Sequence, residues 1–152
     1  MHSRYLDDFT VGQTFKSRAA TMTESEIVDF ALKFDPQPMH LDVHGAQESG
    51  FGNIIASGFH TMSMAFRLWT DLGLYVDTNV AGLALEDVAW KGPVFPGDTI
   101  RCIFTVKELT PSRSKPDRGV MKVAFDVRNQ KDETVLTYTT VAIVLRRPDE
   151  EG

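Results

Sequence analysis

The sequence predicts a single α+β domain in which a curved antiparallel sheet wraps one long central helix. Three observations predict it. The stretch 57–72 places Phe59, Met62, Met64, Ala65, Phe66, Leu68 and Trp69 on more than one helical face, and a helix apolar nearly all round is enclosed by something else. The second half of the chain alternates apolar and polar residues in about four consecutive runs, the period of half-buried strands. A helix followed by a run of strands is an α+β pattern, and 152 residues suit one domain with a sizeable core. That domain is expected over 1–152, with its core at about 11–147 and an acidic, frayed tail at 148–152.

Residues 14–22 form an opening strand of poor alternation. Thr23-Glu24-Ser25-Glu26 then reads as a capping box, with Met22 and Ile27 placed as its hydrophobic staple. Ile27, Phe30, Ala31 and Phe34 recur at helical spacing, which predicts an amphipathic helix over 24–34. Pro36 ends it, because the residue before a proline is pushed out of the helical region. The central helix over 57–72 stops at Gly73. Leu83 to Trp90 is a strand whose phase slips between Leu85 and Val88, as a bulge would cause. Ile100, Cys102, Phe104 and Val106 alternate, as do Met121, Val123, Phe125 and Val127; Val135, Val141, Ile143 and Leu145 share the last face. Residues 129–132 make a hairpin turn and 111–119 an exposed loop. Free sheet edges are a liability unless paired, so a homodimer or higher homo-oligomer is expected.

Composition excludes several classes. A net charge of −5 is the wrong sign for a nucleic-acid surface. The opening residues 1–9 mix charges with apolar side chains and do not form a signal peptide. No run of ~18 apolar residues is present to span a membrane. One cysteine, Cys102, builds no internal disulfide framework and suits a reducing compartment, so the expected location is the cytoplasm.

Chemistry concentrates in Asp35-Pro36-Gln37-Pro38-Met39-His40. Two prolines stiffen a segment bracketed by a carboxylate and an imidazole, and a stiff frame is what a catalytic pair needs. An Asp and a His converging on one water can remove its proton and return one to carbon. The plainer reading is a turn with a half-exposed histidine. Asn53 to Thr61 leads into the central helix, whose first amides and dipole can hold a developing negative oxygen, with Gly58 permitting close approach. Alternatively, Ser57 caps the helix and Gly58 relieves crowding. His60 is assigned a packing role. Trp90 to Ile100 is a turn-rich link to which no chemistry is assigned. Asp35, His40, Asp42 and His44 resemble metal ligands only superficially, and no metal is expected.

In this order the three segments resemble the MaoC-like dehydratases and R-specific enoyl-CoA hydratases. That family shows Asp-x-Asn-Pro-x-His after its first helix, a small-residue, Gly-containing lead into the central helix, and a Pro-x-x-Pro-Gly-Asp turn. Here they stand as Asp35–His40, Ala56-Ser57-Gly58 and Pro93–Asp98, with Gln37 in place of Asn. The resemblance runs from about Val11 to Leu145. It implies a hot-dog fold, a dimer with the site near the subunit interface, and Asp35 and His40 as the catalytic pair. The Gly58 amide would face the thioester oxygen, with Ser57 supporting the site. The implied reaction is reversible hydration of a trans-2-enoyl thioester to the R-3-hydroxyacyl product. No cofactor is implied beyond the coenzyme A or carrier-protein phosphopantetheine of the substrate. A hot-dog thioesterase and a non-catalytic acyl-thioester-binding subunit are the alternatives. Pocket depth is expected to depend on Phe59, Met62, Met64 and Phe66, while Arg113, Lys115 and Arg118 form a basic, solvated loop.

Overall fold

The computed structural model describes residues 3–149, so most of the acidic tail lies outside the described residues. A 3-10 turn at Leu6–Asp8 opens the chain, and Leu6 and Phe9 are buried in the main core. The core therefore begins before residue 11, because isolated apolar residues in a charged segment carry no period to read. Arg4 N donates to Leu74 O at 2.7 Å, and Asp7 and Asp8 pair with Arg146 and Arg147.

The opening strand is two short pieces, β1 (Thr14–Lys16) and β2 (Ala20–Thr21). Between them the Ser17 hydroxyl accepts from Cys102 N at 2.9 Å, substituting a side chain for a ladder carbonyl. Helix α1 (Glu24–Phe34) has the expected bounds, with Thr23 Oγ1 accepting from Glu26 N at 3.3 Å. The return bond from Glu26 is not formed, so half of the capping box is realised. Two short helices were not expected. α2 (Pro38–Leu41) starts with Pro38 in its first turn, where the missing N–H costs nothing. α3 (Val43–Gln47) is capped by Asp42, which accepts from Gly45 N at 2.9 Å. Each is too short to carry a helical period.

Helix α4 (Gly58–Thr70) is followed by β3 (Asn79–Trp90), β4 (Thr99–Pro111), β5 (Arg118–Arg128) and β6 (Thr134–Leu145). All pairings are antiparallel in the order β1-β4-β5-β6-β3, with β2 also on β4. β3 starts earlier than its alternation suggested, because three register shifts interrupt its phase; the last falls between Glu86 and Ala89, where Asp87 has φ +54°. The hairpin turn closes on Asn129 Oδ1, which accepts from Lys131 N and Glu133 N.

The sheet curves around α4. Trp69 packs its ring 4.9 Å from Phe104, 5.9 Å from Phe125 and 6.1 Å from Phe15, and its Nε1 donates to Tyr75 Oη at 2.7 Å. Tyr138 of β6 donates to Met62 O at 3.1 Å, and Trp90 of β3 packs its ring 5.9 Å from Phe59, so five strands touch this one helix. Enclosure is incomplete, however. Phe59, Ser63, Phe66 and Thr70 form an exposed stripe, with Phe59 60% and Phe66 41% accessible. One copy of the sheet covers only one side of α4, and the bare side mixes Phe59 and Phe66 with polar residues.

Candidate active site

Two backbone hydrogen bonds bring the three sequence segments together. Ile55 N donates to Met39 O at 3.0 Å, tying the lead into α4 to α2. Ala56 N donates to Val94 O at 2.8 Å, tying the same stretch to the segment after β3. Between them lies a cavity of about 530 Å³, in the range of small-molecule sites and mostly apolar.

Asp35 is the C-cap of α1, placed there by the proline-enforced break. His40 sits on α2, whose backbone is pinned by His40 N donating to Gln37 O at 3.0 Å. Their side chains meet, His40 Nε2 lying 3.1 Å from Asp35 Oδ2; His40 is 4% exposed and Asp35 14%. The half-exposed-turn reading of His40 is thereby excluded. Its Nδ1 is 2.6 Å from Ile55 O, and because a carbonyl only accepts, Nδ1 carries a proton. On the other carboxylate oxygen, Gln37 Nε2 donates to Asp35 Oδ1 at 2.6 Å. That Gln37 bond above all, with the neighbouring Ser57 hydroxyl and His40 behind it, holds the Asp35 carboxyl below the usual carboxylate range against the opposing effect of burial.

Ser57 is the N-cap of α4 by position, yet its hydroxyl bonds no helix amide. It is fully buried beside Asp35 with no partner in hydrogen-bond geometry among the described residues. Its carbonyl takes the first helical bonds, from His60 N at 2.9 Å and Thr61 N at 3.1 Å. The Gly58 amide, one step ahead of these, has no protein acceptor among the described residues, as the first helical turn dictates. Crowding is present too. A Cβ placed on Gly58 would lie 3.0 Å from Trp90 Cδ1, 2.5 Å from Cε2 and nearer still to Nε1.

Trp90 to Val94, the first half of the link to which the sequence assigns no chemistry, line the cavity. Its second half is structural as expected: Gly97 has φ +88°, and Asp98 Oδ2 accepts from Phe95 N at 2.9 Å. Of the four residues expected to set pocket depth, only Phe59 lines the cavity; Met39, Phe51 and Trp90 supply the other large apolar walls. Met62 and Met64 pack into the core instead, and Phe66 faces outward. His60 stacks on Phe30 with ring centroids 4.8 Å apart and an interplanar angle of 6°, a packing role as expected. Arg113, Lys115 and Arg118 are not among the lining residues. No cluster of metal-ligating side chains occurs among the described residues.

The profile of the MaoC like domain matches residues 8–129. The chain belongs to the MaoC-like dehydratase family. Within it, the chain is 37% identical over 141 residues to the uncharacterized protein YdeM of Bacillus subtilis (strain 168), covering 93% of this chain and 99% of that one. Similarity to an (R)-specific enoyl-CoA hydratase of Rhodospirillum rubrum is 32% over 115 residues, 72% of this chain and 74% of the hydratase. The crystal structure of a MaoC-like dehydratase from Rhodospirillum rubrum superposes with a TM-score of 0.86 at 36% identity, covering 97% of this chain and 100% of that one. The curved sheet around α4 is thus the hot-dog fold of MaoC-like dehydratases.

Proposed function

We propose that this MaoC-like protein hydrates trans-2-enoyl thioesters reversibly to R-3-hydroxyacyl thioesters. The observation that carries the reading is the buried Asp35–His40 contact on the wall of an apolar cavity that also contains the start of α4. The pair binds one water and activates it for attack on the β-carbon, and a proton from the pair reaches the α-carbon. The Gly58 amide and the α4 dipole stabilise the enolate-like oxygen that forms in between, and Ser57 supports Asp35. Coenzyme A or a phosphopantetheine carrier enters as part of the substrate, and the scheme needs no further cofactor.

The active form in this reading is a homodimer. β3 is an edge strand presenting Val80, Leu83 and Leu85, and the outer stripe of α4 is equally bare. A second copy would cover both. Light scattering should give twice the chain mass.

Loss of enoyl absorbance with crotonyl-coenzyme A tests the reaction. Asp35→Asn and His40→Ala should each lower kcat by about 10²–10⁴, the range of general acid–base catalysis. Free thiol released in step with the absorbance loss, and from saturated acyl thioesters as well, would replace the hydratase with a thioesterase. Binding without turnover of any enoyl thioester would leave an acyl-binding subunit.

A further inference from the structure

Gln37 lies between Asp35 and His40 in sequence and beside both on the cavity wall. Its Nε2–Oδ1 bond of 2.6 Å engages the carboxylate oxygen that His40 does not face. His40 has Nδ1 committed to the Ile55 carbonyl. The remaining contact, Nε2 to Oδ2, therefore holds one proton, carried by the nitrogen or by the oxygen. An amide that donates to a carboxylate favours its ionised form.

We propose that Gln37 is a positioning residue for the proton of this pair: its amide keeps Asp35 ionised and leaves the shared proton on His40 Nε2. The catalytic consequence rests on the hydratase reading; the proton placement does not. In hydration, His40 gives its Nε2 proton to the α-carbon as the hydroxyl of water bonds to the β-carbon and Asp35 takes the proton that water loses. Transfer of that proton from Asp35 to His40 restores the pair. One water is consumed and no charge is left over. Asp35 is then the base and His40 the acid, a division that the two side chains alone leave undecided.

The surroundings contain little else to set it. Of the ionisable side chains, Asp35, His40 and Lys91 line the cavity among the described residues, and the Ser57 hydroxyl, at the N-cap of α4 beside Asp35, is a second, neutral influence on the carboxylate that stands outside hydrogen-bond geometry. His60, also on α4, is stacked away on Phe30 of α1. Gln37 can be changed without disturbing the core, because its side chain is exposed and its backbone is independently fixed by Gln37 N donating to Asp35 O at 2.8 Å.

The test is a carboxyl ¹³C NMR titration of Asp35 in the ligand-free protein, for wild type, Gln37→Met and Gln37→Glu. Met removes the donor; Glu keeps the shape but replaces the donor with an acceptor that repels the carboxylate. The Asp35 titration should move to higher pH by about one unit in Gln37→Met, the worth of a hydrogen bond to a charged group, and further in Gln37→Glu. The acid limb of kcat/KM for crotonyl-coenzyme A should move with it, since activity is lost as pH falls through the Asp35 titration. An Asp35 titration unmoved in both variants overturns the proposal and reduces Gln37 to a space-filling side chain. A titration that moves in a protein inactive on every enoyl thioester supports the proton placement and removes the hydratase reading instead.

Discussion

Gly58→Ala probes the wall of the cavity at its tightest point. The added methyl would overlap the Trp90 indole, 2.5 Å from Cε2, so the ring must move. Overpacking of this kind costs about 1–3 kcal/mol, and the lower end applies because Trp90 is half exposed and can swing outward. Against this, alanine is favoured over glycine in a helix by roughly 0.5–1 kcal/mol. The single variant should therefore change stability by about 1 kcal/mol or less, too little to interpret alone. A double-mutant cycle with Trp90→Ala resolves it. With the indole gone the overlap vanishes, and Gly58→Ala should turn stabilising by roughly 0.5–1 kcal/mol. The coupling between the sites should then be about 1–2 kcal/mol, read from urea unfolding at constant m-value. Displacement of the indole should also cost the single variant roughly tenfold to a hundredfold in kcat/KM, as misplacements near 1 Å do. Effects that add within about 0.5 kcal/mol would show that Trp90 does not cover Gly58 in solution.

Burial holds the His60 imidazole below its ordinary value, with the Glu26 charge opposing. The unfolded chain thus binds the extra proton first, so stability should fall as pH drops below about 6.5, by at most about 1.4 kcal/mol per pH unit from this group. His60→Phe should flatten that part of the profile, and urea midpoints at several pH values that keep the wild-type slope would contradict the assignment. Burial pushes the Cys102 thiol up to about 12, so a disulfide reagent at pH 8 should leave it untouched until denaturant is added. Trp69→Ala should cost about 3–5 kcal/mol in urea unfolding, since the ring is fully buried among Phe15, Phe104 and Phe125. A loss under 1 kcal/mol would mean the helix is not held by this aromatic cluster.

Elements with a clean period are legible in the sequence alone. α1 has a cap, a four-residue apolar stripe and a proline stop, and its bounds are those the pattern predicts. β5 alternates without interruption and can be read directly from Met121, Val123, Phe125 and Val127. Illegibility has local causes. β3 hides its first four residues behind bulges that reset the phase, and α2 and α3 are single turns dictated by Pro38 and by the Asp42 cap. The face of α4 that one sheet leaves bare is hard to tell from the buried faces, because Phe59 and Phe66 lie on it among the polar Ser63 and Thr70.

In the site, spacing locates the pair but not its neighbours. Asp35 and His40 bracket a stiff segment, whereas the partner that fixes the His40 tautomer is a backbone carbonyl, Ile55, with no side-chain signal at all. Trp90 is hidden for a different reason. It closes a strand and adjoins a proline-glycine link, so the whole stretch reads as a connection; the Ala56–Val94 bond is what folds its first half onto the start of α4. The two alternatives for Gly58 are close ligand approach and relief of crowding, and the structure separates them by atom. Its missing side chain makes room for the Trp90 indole, while its amide has no protein acceptor among the described residues. A side chain at this position would therefore interfere with the cavity through the indole and leave the amide itself chemically unchanged. For that reason the Trp90→Ala background, in which the alanine no longer collides, separates the steric part of the glycine requirement from any part played by the amide.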